Sequence, residues 1–215
     1  VREGIGADTP VIQTIFNPIS QAKNLAGNDL LLEHLKKHPN AVMKGLETIA
    51  RSTVKFIEAA RDAGIDGIFY AVQHAQASML ELDEYKSIVL PYDQQTLKPA
   101  EDLWCNLLHL HGSDVYFSLL RLINFQIVNW HDRETYPSLA ESQSLFRGVA
   151  CGGIRQDTLY KGNQAQVKEE AKDVLRRLFP DVTSLHVTLL DTSDDPLSLT
   201  LRPGSLVVKV TENGK

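Results

Sequence analysis

The chain has 215 residues, of which 43% are hydrophobic and 23% charged, proportions that are ordinary for one globular domain with a sizeable core. Its net charge of −5 argues against a general role in binding nucleic acid or an anionic membrane surface. Two cysteines cannot form a disulfide framework, and no apolar run approaches the roughly 20 residues of a membrane span. We therefore expect a cytoplasmic protein. The start at Val1 instead of Met predicts a fragment or a processed product.

Predicted strands and helices alternate along the chain. Short β-branched or apolar runs predict strands at Pro10–Ile19, Gly67–Val72, Leu107–Leu110, Gln126–Trp130, Gly148–Ala150 and Leu185–Leu190. Apolar residues at helical spacing predict helices at Asn28–Lys37 with Asn28 as the N-cap, at Ala41–Ala63, at Asp83–Leu90, at Val115–Ile123, from Ser138 onward, and at Gln164–Leu178.

This alternation predicts an α/β fold with a parallel sheet and right-handed crossovers. We predict an incomplete (β/α)8 TIM barrel with about six of the eight units, since a complete barrel has about 250 residues. A doubly wound sheet is the alternative, but it normally carries a Gly-rich first turn that this sequence lacks. Residues 1–215 are predicted to form one barrel domain with an atypical, β-prone tail at 180–215. We interpret this tail as divergent or as translated from a shifted frame.

Polar side chains follow the predicted strands where each strand ends. The active site of an α/β barrel is built at the C-terminal ends of its strands, so these residues are the candidates for function. They are Asn17, Gln73, His74, His109, His111, Asn129, His131, Asp132, Arg133 and Cys151.

His109 and His111 have the most specific spacing among these residues. Because residues two apart on a strand point to the same face, both imidazoles are predicted to face the barrel axis while Leu108 and Leu110 face the helices. Two histidines and a third ligand, for which Cys151, His74 and Asp132 are alternatives, make a plausible open zinc site. The alternative is that the histidines form hydrogen bonds with neighbours or with a bound carboxylate, without a metal.

The other strand-end residues also have two interpretations each. His74 is either a general base or a buried structural histidine. Asp132 and Arg133 either orient a substrate or form a loop ion pair. Cys151 has no activating partner in the sequence, which favours an inert thiol. Gly152 and Gly153 predict a tight turn that needs positive φ.

Six segments, taken in order, resemble proteins of the uroporphyrinogen decarboxylase-like family, a superfamily that also includes corrinoid methyltransferases. The resemblance extends roughly from Pro10 to Leu178 and corresponds to the C-terminal two-thirds of such a protein. The segments are IFNPISQAKNLAG (Ile15–Gly27), DAGIDGIFY (Asp62–Tyr70), LPY (Leu90–Tyr92), LLHLHG (Leu107–Gly112), VNWHDR (Val128–Arg133) and GGI (Gly152–Ile154).

The resemblance implies a barrel, often a homodimer, that decarboxylates a carboxylated tetrapyrrole in porphyrin and heme biosynthesis without a cofactor. We expect a carboxy-lyase of this kind before a methyltransferase. The expected roles divide into proton handling by His74, Asp132 and His131, and substrate binding by Asn17, Gln73, His109, His111, Asn129 and Arg133.

The methyltransferase branch implies a second function. There zinc activates a thiol, the methyl donor is a corrinoid protein, and the ligands resemble a His-x-Cys pair where this chain has His109 and His111. On this alternative the metal ligands are His109, His111 and Cys151. A third alternative is an inactive truncated barrel or a binding subunit, since missing units leave strand edges and apolar core exposed.

Overall fold

The computed structural model describes residues 1–6, 8–161, 164–178, 185–191 and 206–212, the last two ranges as backbone. Among these residues, none of the helices combines the length and the apolar character that crossing a bilayer requires. The strands in chain order are β1 (Ile12–Phe16), β2 (Gly67–Val72), β3 (Leu107–Leu110), β4 (Ile127–Trp130), β5 (Val149–Cys151), β6 (Leu185–Asp191) and β7 (Leu206–Glu212). The α-helices are α1 (Arg2–Ile5), α2 (Pro18–Ala26), α3 (Asn28–Lys37), α4 (Pro39–Asp62), α5 (Leu82–Glu84), α6 (Leu90–Leu97), α7 (Leu139–Ser142), α8 (Gln156–Lys161) and α9 (Gln164–Leu178).

Five strands form one parallel sheet in the order β1-β2-β3-β4-β5. Every strand therefore pairs with its neighbour in sequence, as in a barrel, whereas the strand order of a doubly wound sheet reverses at a switch point. The predicted α/β class and parallel sheet are confirmed. The parallel sheet has five strands in the part of the chain that the structure describes, which is consistent with a partial TIM-barrel-like fold, and the barrel of about six units stays a prediction.

The two faces of this sheet differ in burial. Tyr70, Leu108, Leu110 and Val128 point to the outer face and are fully buried under the helices. The inner face carries partly exposed residues, including Val149 at 62% exposure. This arrangement agrees with the predicted faces of β3, because its two leucines lie beneath the helices.

The first strand is shorter than predicted. It ends at Phe16, and α2 begins at Pro18, inside the predicted strand Pro10–Ile19. Asn17 caps α2, since its Oδ1 accepts a hydrogen bond from the backbone N–H of Ser20 at 3.2 Å. Proline at the first helical position fixes φ and needs no N–H partner, so Asn17-Pro18 is a helix start.

Several helix boundaries also differ from the predictions. Asn28 is the first residue of α3 and not its N-cap, because Gly27 with φ 89° takes the cap position. The helix predicted from Asp83 continues through a π-turn, Tyr85–Val89, into α6. Residues Phe117–Arg121 form a 3-10 turn within the helix predicted at Val115–Ile123. Helix α8 was not predicted.

A buried polar network joins α2, β2 and α6 beneath the outer face. The carboxylate of Asp93 accepts hydrogen bonds from the hydroxyls of Tyr70 at 2.8 Å and Tyr85 at 2.5 Å, and from Asn17 Nδ2 at 3.1 Å. Burial raises the pKa of Asp93 to about 6, although these three donors act in the opposite direction. The network fixes the position of α6 on the sheet and occupies the side chain of Asn17.

The sixth predicted strand forms but does not join the parallel sheet. β6 pairs with β7 in a separate antiparallel sheet, with Val187 opposite Val210. The rest of the tail, including residues 192–205, lies outside the described residues.

Candidate functional site

A pocket of about 260 Å³ lies at the C-terminal ends of β3, β4 and β5. This is the end of the sheet where a barrel enzyme places its site. We call it the C-terminal pocket, and its lining residues are His109, His111, Asn129, Trp130, His131, Asp132, Arg133, Glu134, Gly152, Ile154, Arg155, Gln156 and Leu159.

His109, His111 and His131 form a three-histidine cluster at the floor of this pocket. One ring nitrogen from each of them lies within 4.8 Å of the other two. The parallel register explains this, because Leu110 pairs with Trp130 and the next residue on each strand is a histidine on the inner face. His131 Nε2 and His111 Nδ1 lie 3.4 Å apart.

Asn129 orients the ring of His109. Its Nδ2 donates to the carbonyl oxygen of Cys151 at 2.8 Å, so its Oδ1 faces His109 Nδ1 at 2.6 Å. His109 Nδ1 must then carry the proton, and its Nε2 keeps a free lone pair. A hydrogen-bonded ring nitrogen of this kind fixes the tautomer of a metal-binding histidine.

Two members of the cluster favour the neutral form. Burial lowers the pKa of His109, and the positive charges of His111 and His131 act in the same direction. The pKa of His111 is lowered first by desolvation and then by His131 and Lys23. Neutral imidazoles are the form that binds metals, so the donor set fits a zinc ion.

Glu134 lies beside the third histidine. Its Oε2 is 4.0 Å from His131 Nδ1, one helical turn further along the chain. At this distance the carboxylate does not form a hydrogen bond with the ring. Glu134 was not among the residues predicted from strand ends, although its spacing from His131 was a usable signal.

Asp132 is held by the glycine turn after β5. Its Oδ1 accepts a hydrogen bond from the N–H of Gly153 at 2.8 Å, and its buried Oδ2 has no hydrogen-bond partner among the residues that the structure describes. Burial raises the pKa of Asp132, which favours a protonated carboxyl. The positive φ expected in this turn occurs at Gly153, whose φ is 104°.

Gly152 is needed for a different reason, namely contact with Asp132. A Cβ at Gly152 would overlap Asp132 Oδ1 and lie 2.9 Å from its Cγ. We expect Gly152→Ala to displace this carboxyl and to lower the free energy of unfolding by about 1–3 kcal/mol in urea titrations. The control is Gly45→Ala in α4, where nothing lies within 4 Å, and this change should stabilise the protein. Equal effects of the two substitutions would contradict the prediction.

Arg133 forms ion pairs with α9 and not with Asp132. Its Nε lies 3.2 Å from Glu170 Oε1 and its Nη2 lies 3.3 Å from Asp173 Oδ2. The guanidinium lines the pocket but has its charge compensated. Its predicted role in substrate binding stays a prediction.

The candidates on β1 and β2 lie outside the C-terminal pocket. Asn17 is fully buried in the Asp93 network. Gln73 accepts a hydrogen bond from Lys23 Nζ at 2.8 Å. His74 is fully buried, with Nε2 3.4 Å from Asn28 Oδ1, and burial with the charge of Lys23 lowers its pKa to about 4.

Cys151 is exposed and is not a member of the three-histidine cluster. Although the residue as a whole is exposed, its sulfur lies against the protein, and this partial desolvation, together with the charge of Asp132, raises the pKa of Cys151 and disfavours the thiolate that binds metals. The structure therefore brings His131, which was predicted as a proton-handling residue, to the position for which Cys151 was proposed.

One comparison with known proteins identifies a family, and another identifies a similar fold. The family model described as uroporphyrinogen decarboxylase (URO-D) matches residues 1–187. A solved structure of a methyltransferase from Methanosarcina mazei is similar in fold, with a TM-score of 0.71, 19% identity and coverage of 82% of this chain. This chain spans 52% of that methyltransferase. No curated protein matches the sequence. Because the family model matches most of its length, the chain belongs to the uroporphyrinogen decarboxylase family.

Proposed function

We propose that this chain carries the catalytic face of a methyl-transferring member of the family, in which His109, His111 and His131 hold a zinc ion. The three-histidine cluster is the observation that supports this most directly. One ring nitrogen from each histidine lies within 4.8 Å of the others, and this is a donor set that zinc accepts. The similar structure from Methanosarcina mazei is described as a methyltransferase.

The charges around the cluster favour a metal over a substrate with many carboxylates. Burial lowers the pKa values of His109 and His111, which disfavours the charged form that would attract carboxylates. Arg133, the nearest predicted carboxylate-binding residue, is already paired with Glu170 and Asp173.

Bound zinc would lower the pKa of a thiol and so favour the nucleophilic thiolate. The chain's own residues prepare the site for this. Asn129 keeps the lone pair of His109 Nε2 available, and the ring of Phe69 stacks on His109 with centroids 5.4 Å apart. This apolar ring shields one side of the imidazole from water. We propose a corrinoid protein as the methyl-donating partner, as the methyltransferase branch implies, and the homodimer stays a prediction.

The test is zinc content by elemental mass spectrometry on the purified chain. We expect stoichiometric zinc in the wild type and its loss in both His109→Ala and His111→Ala, with unchanged circular dichroism as the control for folding. Methyl transfer from a methylated corrinoid to a thiol should depend on the same zinc. A folded wild-type chain that binds no zinc would exclude this proposal.

A second candidate is cofactor-free decarboxylation of a carboxylated tetrapyrrole, and Asp132 is the observation that favours it. This carboxyl lines the pocket, and burial raises its pKa, which is the direction that a general acid needs. On this candidate, metal-free protein should release CO₂ from uroporphyrinogen and Asp132→Asn should abolish that release. Activity that requires zinc, or that survives in Asp132→Asn, would count against it.

A further inference from the structure

His111 and His131 lie one residue beyond the paired ends of β3 and β4. The last pair in the register of these two strands is Leu110 with Trp130. The ring centroids of the two histidines are 5.1 Å apart, and His131 Nε2 lies 3.4 Å from His111 Nδ1. The spacing of the two rings therefore depends on the loops that follow the strands as well as on the strand ladder.

Thr135 is fixed to the backbone of His131 by a tight turn. The N–H of Thr135 donates to the carbonyl oxygen of His131 at 3.0 Å, and the N–H of Glu134 donates to the same oxygen at 2.8 Å. These two hydrogen bonds close the turn over residues 131–135. The half-buried side chain of Thr135 therefore keeps a fixed place relative to His131.

The hydroxyl of Thr135 joins this turn to the loop that follows His111. Its Oγ1 accepts a hydrogen bond from the backbone N–H of Asp114 at 2.8 Å. Asp114 has a φ of 51°, a conformation that residues other than glycine adopt rarely and keep only where their surroundings hold it. On the other side, the carbonyl oxygen of Asp114 accepts a hydrogen bond from the N–H of Ala77 at 3.2 Å. The loop after β3 is thus held between the loop after β2 and Thr135.

We propose that Thr135 is a positioning residue that sets the spacing of His111 and His131 by tying the loop after β3 to the turn after β4. Thr135 is not one of the lining residues of the C-terminal pocket, so it acts through the two histidines and not by contact with a ligand. Zinc binds nitrogen only at about 2.0–2.1 Å, so a small change in this spacing weakens the site. The metal part of this inference rests on the proposed zinc site, whereas the spacing rests on the hydrogen bond of Thr135 alone.

The first test uses the metal-free chain and the nuclear Overhauser effect between the ring protons of His111 and His131. This effect falls steeply with distance, so it reports the spacing of the two rings directly. We expect a cross-peak in the wild type and in Thr135→Ser, which keeps the hydroxyl, and its loss in Thr135→Val and Thr135→Ala, which lack it. Thr48→Val, which removes an exposed hydroxyl from α4, should keep the cross-peak. Unchanged circular dichroism controls for folding.

The second test measures zinc affinity by competition with a chelator, and it separates this inference from the proposed function. We expect Thr135→Val to bind zinc about tenfold more weakly, since groups that orient a metal ligand contribute 10- to 100-fold, and Thr135→Ser to bind it like the wild type. The d–d absorption bands of bound cobalt(II) should shift in Thr135→Val alone, because they report ligand geometry and not stability. Loss of the cross-peak in Thr135→Val of a chain that binds no zinc would support the positioning role while excluding the proposed function. A retained cross-peak in Thr135→Val, or an equal loss in Thr135→Ser, would overturn the inference.

Discussion

Replacement of His131 by alanine is expected to abolish stoichiometric zinc binding, with a loss of affinity of more than about a hundredfold. Changes in groups that merely orient a metal ligand already cost about 10- to 100-fold, and loss of a ligand costs more. The expectation follows from the cluster, in which His131 Nε2 lies 3.4 Å from His111 Nδ1. Zinc affinity is measured by competition with a chelator of known affinity.

Two matched variants make this result specific. Cys151→Ala tests the third ligand that sequence spacing suggested, and His38→Ala removes an exposed histidine between α3 and α4. We expect both to bind zinc like the wild type. Loss of zinc in Cys151→Ala with retention in His131→Ala would show that the thiol completes the site and that the three-histidine cluster does not.

The second prediction concerns stability, because Asp93 and His74 are buried groups whose pKa values are shifted in opposite senses. The pKa of Asp93 is raised from 3.8 to about 6, so its contribution to stability is present at low pH and is lost as pH rises through about 6. The pKa of His74 is lowered from 6.5 to about 4, so its contribution is present above 6.5 and is lost as pH falls toward 4. Each shift corresponds to roughly 3 kcal/mol, and the two pH dependences largely cancel in the wild type.

Single substitutions should therefore change the pH dependence of the free energy of unfolding in opposite directions. Asp93→Asn should be strongly destabilised at pH 4.5, and its deficit relative to wild type should shrink by roughly 2 kcal/mol toward pH 7.5, because part of the Asp93 effect lies below pH 4.5. The free energy of unfolding of His74→Phe, relative to that of the wild type, should rise by a similar amount as pH falls over the same interval. Urea unfolding at several pH values measures both effects. If the difference in free energy of unfolding between each variant and the wild type does not change with pH, these two groups do not titrate as their burial implies.

The parallel sheet and most strand positions could be predicted because burial leaves a local pattern. β2 is an apolar, β-branched run, and its ends are marked by Gly67 and by the polar Gln73. The same logic identified His109 and His111, since alternate residues of a strand share a face. The start of α2 was missed because apolar residues flank Asn17 on both sides and hid the cap, which Asn17 forms through a side-chain contact with Ser20.

The members of the site from other elements could not be assigned in this way. His131 and Cys151 follow neighbouring strands, and their spacing in sequence does not show which one reaches the histidines of β3. The hydrogen bond from Asn129 to the carbonyl of Cys151 depends on the register of β4 and β5.

The resemblance of six ordered segments pointed to the family, and local patterns of apolar and polar residues were enough to establish the α/β class and the parallel sheet. They also located the polar residues at the strand ends, because each of these features is imposed on neighbouring residues by the period of a strand or helix. Packing in three dimensions decided that His131 joins His109 and His111 and that Arg133 is paired with acidic residues of α9. These contacts join residues distant in sequence, and their distances depend on register and side-chain orientation, which no single segment specifies.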